Sequence, residues 1–75
     1  MMLERLCKLV EDNYKFLNLS VGYNKVTDWV IEVKERVSVD QSNTICSFQS
    51  GDLDYCAAQA YIKTTDWLCE HHGGY

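Results

Sequence analysis

The apolar positions of this chain change period twice, from helical to alternating and back, and turn clusters divide the alternating part into strands. Leu3, Leu6, Cys7, Val10 and Tyr14 recur at steps of three and four, which makes one face of a helix. Glu4, Lys8, Glu11, Asp12 and Lys15 fill the other side, with Glu4–Lys8 and Glu11–Lys15 as favourable i,i+4 pairs. The helix is expected to end near Phe16 to Asn18. The period then drops to two. Leu19, Val21 and Tyr23 alternate with Ser20, Gly22 and Asn24, the signature of a half-buried strand. Asn24-Lys25 opens a turn. Trp29, Ile31 and Val33 then alternate with Val30, Glu32 and Lys34 in a longer strand that runs to about Val39. Asp40-Gln41-Ser42-Asn43 is a turn cluster. Thr44 to Gln49 reads as a third strand. Ile45 and Phe48 have opposite parity, and Cys46 with Phe48 is the preferred inward pair.

After Ser50 the helical period returns. Leu53, Cys56, Ala57, Ala60, Thr64, Trp67 and Leu68 make one face, with Ser50 as the expected N-cap and Asp52 and Asp54 at the positive end of the helix dipole. The small trio Cys56, Ala57 and Ala60 lets this helix lie close on a sheet. Gly73-Gly74 is expected to stop it. The order is α-β-β-β-α. Short connections make the strands a three-stranded antiparallel meander, and one apolar face per element places both helices on the same side. The expected fold class is α+β, a single domain over residues 1–75. Ser20, Glu32, Lys34 and Arg36 are expected to face water on the other side of the sheet.

Composition narrows the function classes. Seventy-five residues with 47% hydrophobic content can bury one core and little more. No apolar run is long enough for a membrane span, and Glu4 and Arg5 interrupt the start before a leader could form, so a cytoplasmic protein is expected. Four cysteines, Cys7, Cys46, Cys56 and Cys69, are then expected as free thiols. Seven basic and eleven acidic side chains give a formal net charge of −4, which opposes direct nucleic-acid binding and suits solubility or a basic protein partner. The α-β-β-β-α order is also that of double-stranded-RNA-binding domains. That family grips phosphates with lysines at the start of its second helix, where this chain has Asp52 and Asp54.

Candidate chemistry is sparse. Cys69, His71 and His72 are zinc-ligand types close together, but a structural zinc site takes four ligands and there is no C-x-x-C. A solvated helix end, with His favoured by the C-terminal dipole, is the competing reading. No cofactor and no enzymatic activity are expected, since a Cys-His nucleophile needs a third group and a sheltered pocket. The remaining feature is a second stripe on each helix. Tyr55, Ile62 and Cys69 are spaced by seven, as are Met2, Leu9 and Phe16. Either these flanks meet between the helices and complete the core, or part of them stays exposed for a partner or a second copy. The docking face expected from the exposed alternative is Asp52, Asp54, Tyr55, Ile62, Asp66 and Glu70.

The stretches DWVIEV (28–33) and AAQAYIKTTDWL (57–68) resemble the small acidic α/β proteins encoded by bacteriophages and mobile elements, including anti-CRISPR-type inhibitors. The resemblance implies a non-catalytic inhibitor that covers a basic, nucleic-acid-binding surface of a host defence protein. Rival expectations are a double-stranded-RNA-binding-like module and a small metal-binding or homodimeric structural protein.

Overall fold

The computed structural model describes residues 2–13 and 16–72, with His72 described by its backbone alone. Helix α1 spans Met2–Asp12, followed by strands β1 (Leu17–Asn24), β2 (Asp28–Arg36) and β3 (Ser42–Ser50) and by helix α2 (Leu53–His72). The strands form one antiparallel sheet in the order β1-β2-β3. Both helices pack on one face, so the fold is the expected α+β arrangement. The helices run side by side in the same direction: Met2 meets Asp54 near their starts, and Leu9 shares a groove with Tyr61 further along. The molecule measures 35 × 28 × 17 Å, and the short dimension is the thickness of one helix layer on one sheet.

One core lies between the layers. Leu6 and Leu9 come from α1; Leu17, Ile31, Val33 and Cys46 from the sheet; Cys56, Ala57, Ala60 and Leu68 from α2. Thr64 is fully buried among them. The expected face of α2 is thus the buried one, with Leu53 and Trp67 half-buried at its ends. On α1 the buried stripe is rotated from the expectation. Leu6 and Leu9 are enclosed, while Leu3, Cys7 and Val10 stay half-buried. The cause is α2, which lies beside α1 and takes the Met2–Leu9 side as part of the core. The expected flank of α1 therefore completes the interior, except Phe16, which lies beyond the helix and is 42% exposed.

The element ends differ from the expectation for local reasons. Helix α1 stops earlier, where Asn13 Nδ2 donates to the Leu9 carbonyl at 2.8 Å and satisfies an end-of-helix acceptor. Strand β1 correspondingly begins at Leu17. Lys8 pairs with Asp12 at 3.5 Å in place of Glu4. The expected Glu11–Lys15 pair, Tyr14 and the Gly73-Gly74 stop fall outside the described residues. Strand β2 ends at Arg36, because Gln41 bonds back to Val37 and Ser38 and closes the turn there. Val37 and Val39, which continue the alternation in sequence, are 54% and 84% exposed because no helix reaches over them.

The parity conflict in β3 has a structural answer. Val33 pairs with Cys46, but the next residue, Lys34, pairs with Thr44, so Ile45 is an extra residue in β3. A bulge of this kind shifts the alternation by one. Ile45, Cys46 and Phe48 thereby all reach the core side. The opposite face of the sheet carries Ser20, Glu32, Lys34 and Arg36 as expected, uncovered by any helix, with Lys34 paired to Glu32 at 3.6 Å.

The β1–β2 turn places Asp28 at φ 61°, the left-handed region. Asp tolerates it better than most residues, but glycine has no Cβ to strain. Asp28→Gly is expected to raise the unfolding free energy by about 0.5–1 kcal/mol, the roughly 1–2 kcal/mol of left-handed strain relieved less the roughly 0.4–1 kcal/mol of entropy gained by the unfolded chain. Denaturant unfolding followed by Trp29 and Trp67 fluorescence would show it, and a loss of stability would mean that the turn is held by the carboxylate.

Candidate docking face on the second helix

The six residues expected to form a docking face are all exposed, but they do two different jobs. Tyr55, Ile62 and Asp66 follow one another at seven and four residues on the outward side of α2. Glu70 lies one turn further on. Tyr55 is 56% and Ile62 53% exposed, so this flank, unlike that of α1, is not taken into the core. Cys69 continues the line, also exposed. Lys63 sits at the side of the same face, so the charge there is acidic with one base rather than purely anionic.

Asp52 and Asp54 are tied into the scaffold. Asp52 Oδ1 accepts the backbone N–H of Asp54 at 3.0 Å and of Tyr55 at 3.2 Å, which is N-capping geometry. Ser50, the expected cap, belongs to the end of β3; its Oγ accepts the Asp52 N–H at 3.1 Å and so supports the cap from behind. Asp54 Oδ1 accepts the Met2 N–H at 2.9 Å. That bond links the start of α1 to the start of α2 and places a negative charge at the positive end of both helix dipoles. Asp52→Ala is therefore expected to lower stability by about 1 kcal/mol, within the 0.5–2 kcal/mol usual for lost caps. Asp66→Ala, which breaks no such bond, should leave the melting temperature nearly unchanged.

At the C-terminal end, His71 stacks on Trp67 with ring centroids 4.8 Å apart and planes 18° from parallel, and its Nδ1 lies 3.0 Å from the Trp67 carbonyl oxygen. Cys69 and His71 are two residues apart on a helix and so point to opposite sides. The side chain of His72 lies outside the described residues. Among the described residues no three His, Cys, Asp or Glu side chains gather where a metal ion could sit.

The buried thiols have settled environments. Cys46 Sγ lies 3.9 Å from both the Ala60 carbonyl oxygen and the Thr64 hydroxyl, and Cys56 Sγ lies 3.8 Å from the Trp29 carbonyl oxygen. Burial pushes the Cys46 thiol up; the Thr64 hydroxyl, the Val33 backbone and the Lys63 charge offset this in part. Burial also raises Cys56, helped by the negative charge of Asp52. Both thiols are thereby held protonated at neutral pH.

Between the helices runs an open groove of about 400 Å³, lined by Arg5, Lys8, Leu9, Asp12 and Tyr61 among others. Its charges are mixed, so it offers no field of one sign. Two aromatics were expected inward on the sheet. Trp29 is half-buried, but Tyr23 is 59% exposed, and the two rings meet at 5.0 Å and 57°. Tyr23 points to the helix side as its parity requires. It is left uncovered because β1 is an outer strand that α1 overlies only in part. Alternation alone carries no signal for that. No helix among the described residues is long and apolar enough to cross a membrane. Comparison of the chain with family models, curated proteins and solved structures finds no match.

Proposed function

We propose that this protein is a non-catalytic binding module that docks on a basic protein surface through the outward face of α2. The observation that carries the reading is the open line Tyr55, Ile62 and Asp66, with Glu70 beyond it, on a helix whose other side is fully committed to the core. Partly exposed aromatic and aliphatic groups supply the contact area, and the acids around them favour encounter with a cationic partner. Occlusion is the mechanism that fits. A small rigid domain with net charge −4 covers a cationic groove and competes with the nucleic acid that would otherwise occupy it. The resemblance to phage-encoded inhibitors supplies the candidate partners, host defence proteins that bind nucleic acid.

The experiment is capture from host lysate on immobilised protein, in which Tyr55→Ala with Ile62→Ala should cut recovery of the partner at least tenfold. Asp66→Ala with Glu70→Ala should slow association most at low salt. These positions are chosen because Asp52 and Asp54 also hold the helix starts, and their loss would mix folding with binding. Capture that is indifferent to both double variants would exclude this face. The same fold order leaves duplex RNA as the second class to test. The acids at the start of α2 oppose it, and a gel shift with duplex RNA at low salt is expected to show no complex.

A further inference from the structure

We propose that β1 is the dimerisation edge of this protein, pairing antiparallel with β1 of a second copy so that the two sheets become one.

Strand β1 is an outer strand of the sheet, and its sequence, LNLSVGYN, carries no charge and no proline. Outer strands are usually protected by charges, prolines, bulges or a covering element, because their free N–H and C=O groups template pairing with another chain. Strand β3, the other outer strand, has such a device in the bulge at Ile45. Strand β1 has none: its register with β2 runs unbroken from Leu17–Glu35 to Asn24–Asp28.

The free groups can be assigned. The Arg36 N–H donates to the Phe16 carbonyl at 2.9 Å, so Phe16 and Arg36 are a hydrogen-bonded pair of the antiparallel ladder. Such pairs alternate with non-bonded ones. Asn18, Ser20, Gly22 and Asn24 therefore direct their backbone groups to β2, while Leu17, Leu19, Val21 and Tyr23 direct theirs outward. No backbone bond to those outward groups is present among the described residues.

The side chains above this edge match it. On the helix side, Val21 is 40% and Tyr23 59% exposed, and Leu19 is half-buried. Helix α1 presents Leu3, Cys7 and Val10, all half-buried, on the flank away from α2. Sheet edge and helix flank thus form one uncharged, largely apolar border on a molecule that is otherwise acidic. That contrast selects the occupant. Two copies of net charge −4 repel at most approaches, and the border where neither brings a charge is where they can meet. Pairing about a two-fold axis at Ser20 matches Leu17 with Tyr23 and Leu19 with Val21, in both directions. Every outward-facing residue of the strand then finds a partner. The helices of both copies lie on the same side of the joined sheet, with the Leu3–Cys7–Val10 flanks facing each other. The outward face of α2 remains free, so this inference does not depend on the proposed function.

Two measurements test it. Sedimentation of the full chain should give twice 8.7 kDa, and Val21→Lys should give the monomer with an unchanged circular dichroism spectrum. Ser20 sits at the two-fold as a non-hydrogen-bonded pair, where Cα atoms lie about 4.5 Å apart, within the roughly 4.4–6.8 Å that a disulfide spans. With Cys7 and Cys69, the two native thiols that are not buried, replaced by Ser and Ala, Ser20→Cys should form a covalent dimer under mild oxidation. Ser47→Cys, exposed on the same sheet face but on β3, should not. A wild-type monomer at millimolar concentration would overturn the proposal. So would a dimer that survives Val21→Lys, one that Ile62→Lys dissociates instead, or equal cross-linking at positions 20 and 47. If Val21→Lys fails to fold, the cross-linking pair decides alone.

Discussion

Ile31→Ala is expected to cost about 2–5 kcal/mol of unfolding free energy, the range for deleting a large aliphatic side chain from a core. Ile31 has no exposed surface and sits in the middle of the central strand, opposite Val21 on one side and Phe48 on the other. A chain of this length has about 4–11 kcal/mol in total, taking the usual range per residue. Across those ranges the variant should lose from about a fifth to all of its stability, with the midpoints near one half. The neighbours have little scope to close the gap. The opposing helix residues are Cys56, Ala57 and Ala60, all fully buried and too short to reach across. Chemical denaturation followed by tryptophan fluorescence measures the change. A loss below about 1 kcal/mol would mean that the layers collapse onto the cavity, against the tight packing expected of protein interiors.

Ala60→Leu is the converse test. The α2 face over the sheet is built from Cys56, Ala57, Ala60 and Thr64, none with any exposed surface. Small side chains bring the helix down to where the Cys46 thiol lies 3.9 Å from the Ala60 carbonyl oxygen. A leucine in that place must lift α2 or force strained rotamers, at a cost of about 1–3 kcal/mol, although it adds apolar surface. A hydrophobicity argument gives the opposite sign, so the direction of the change separates the two. Lifting α2 as a rigid helix would leave the stack of His71 on Trp67 and the cap at Asp52 intact, since both move with it, but would stretch the Met2–Asp54 bond to α1 and the Cys46 contact to the Ala60 carbonyl. A stabilised Ala60→Leu would show that the helix–sheet contact holds a void.

Part of this architecture is legible in residues alone. Spacing of Leu53, Cys56, Ala57, Ala60, Thr64 and Leu68 defines the buried side of α2, because a regular helix has a fixed angular step and one wet side. Alternation around Ile31 and Val33 defines the inner side of β2 in the same way. Tyr55, Ile62, Asp66 and Glu70, the four residues proposed for docking, also fall where helical geometry alone puts them, outside the core. Less legible was the work that Asp52 and Asp54 do as caps. Their bonds depend on where β3 ends and on the start of α1 arriving beside α2.

Element order and the facing of the apolar stripes of α2 and β2 were thus determined by the sequence itself, through the periods of helix and strand, whereas the stripe of α1 turned toward α2 and the bulge at Ile45 reset the inward side of β3. Which stripes are truly covered was decided only by the tertiary arrangement. Leu9 is enclosed because α2 lies against it, while Tyr23, on the correct side of its strand, stays open because α1 does not extend over it. Periodicity specifies a direction for each side chain. Burial also requires a neighbour in that direction, and the neighbour is supplied by parts of the chain far away in sequence.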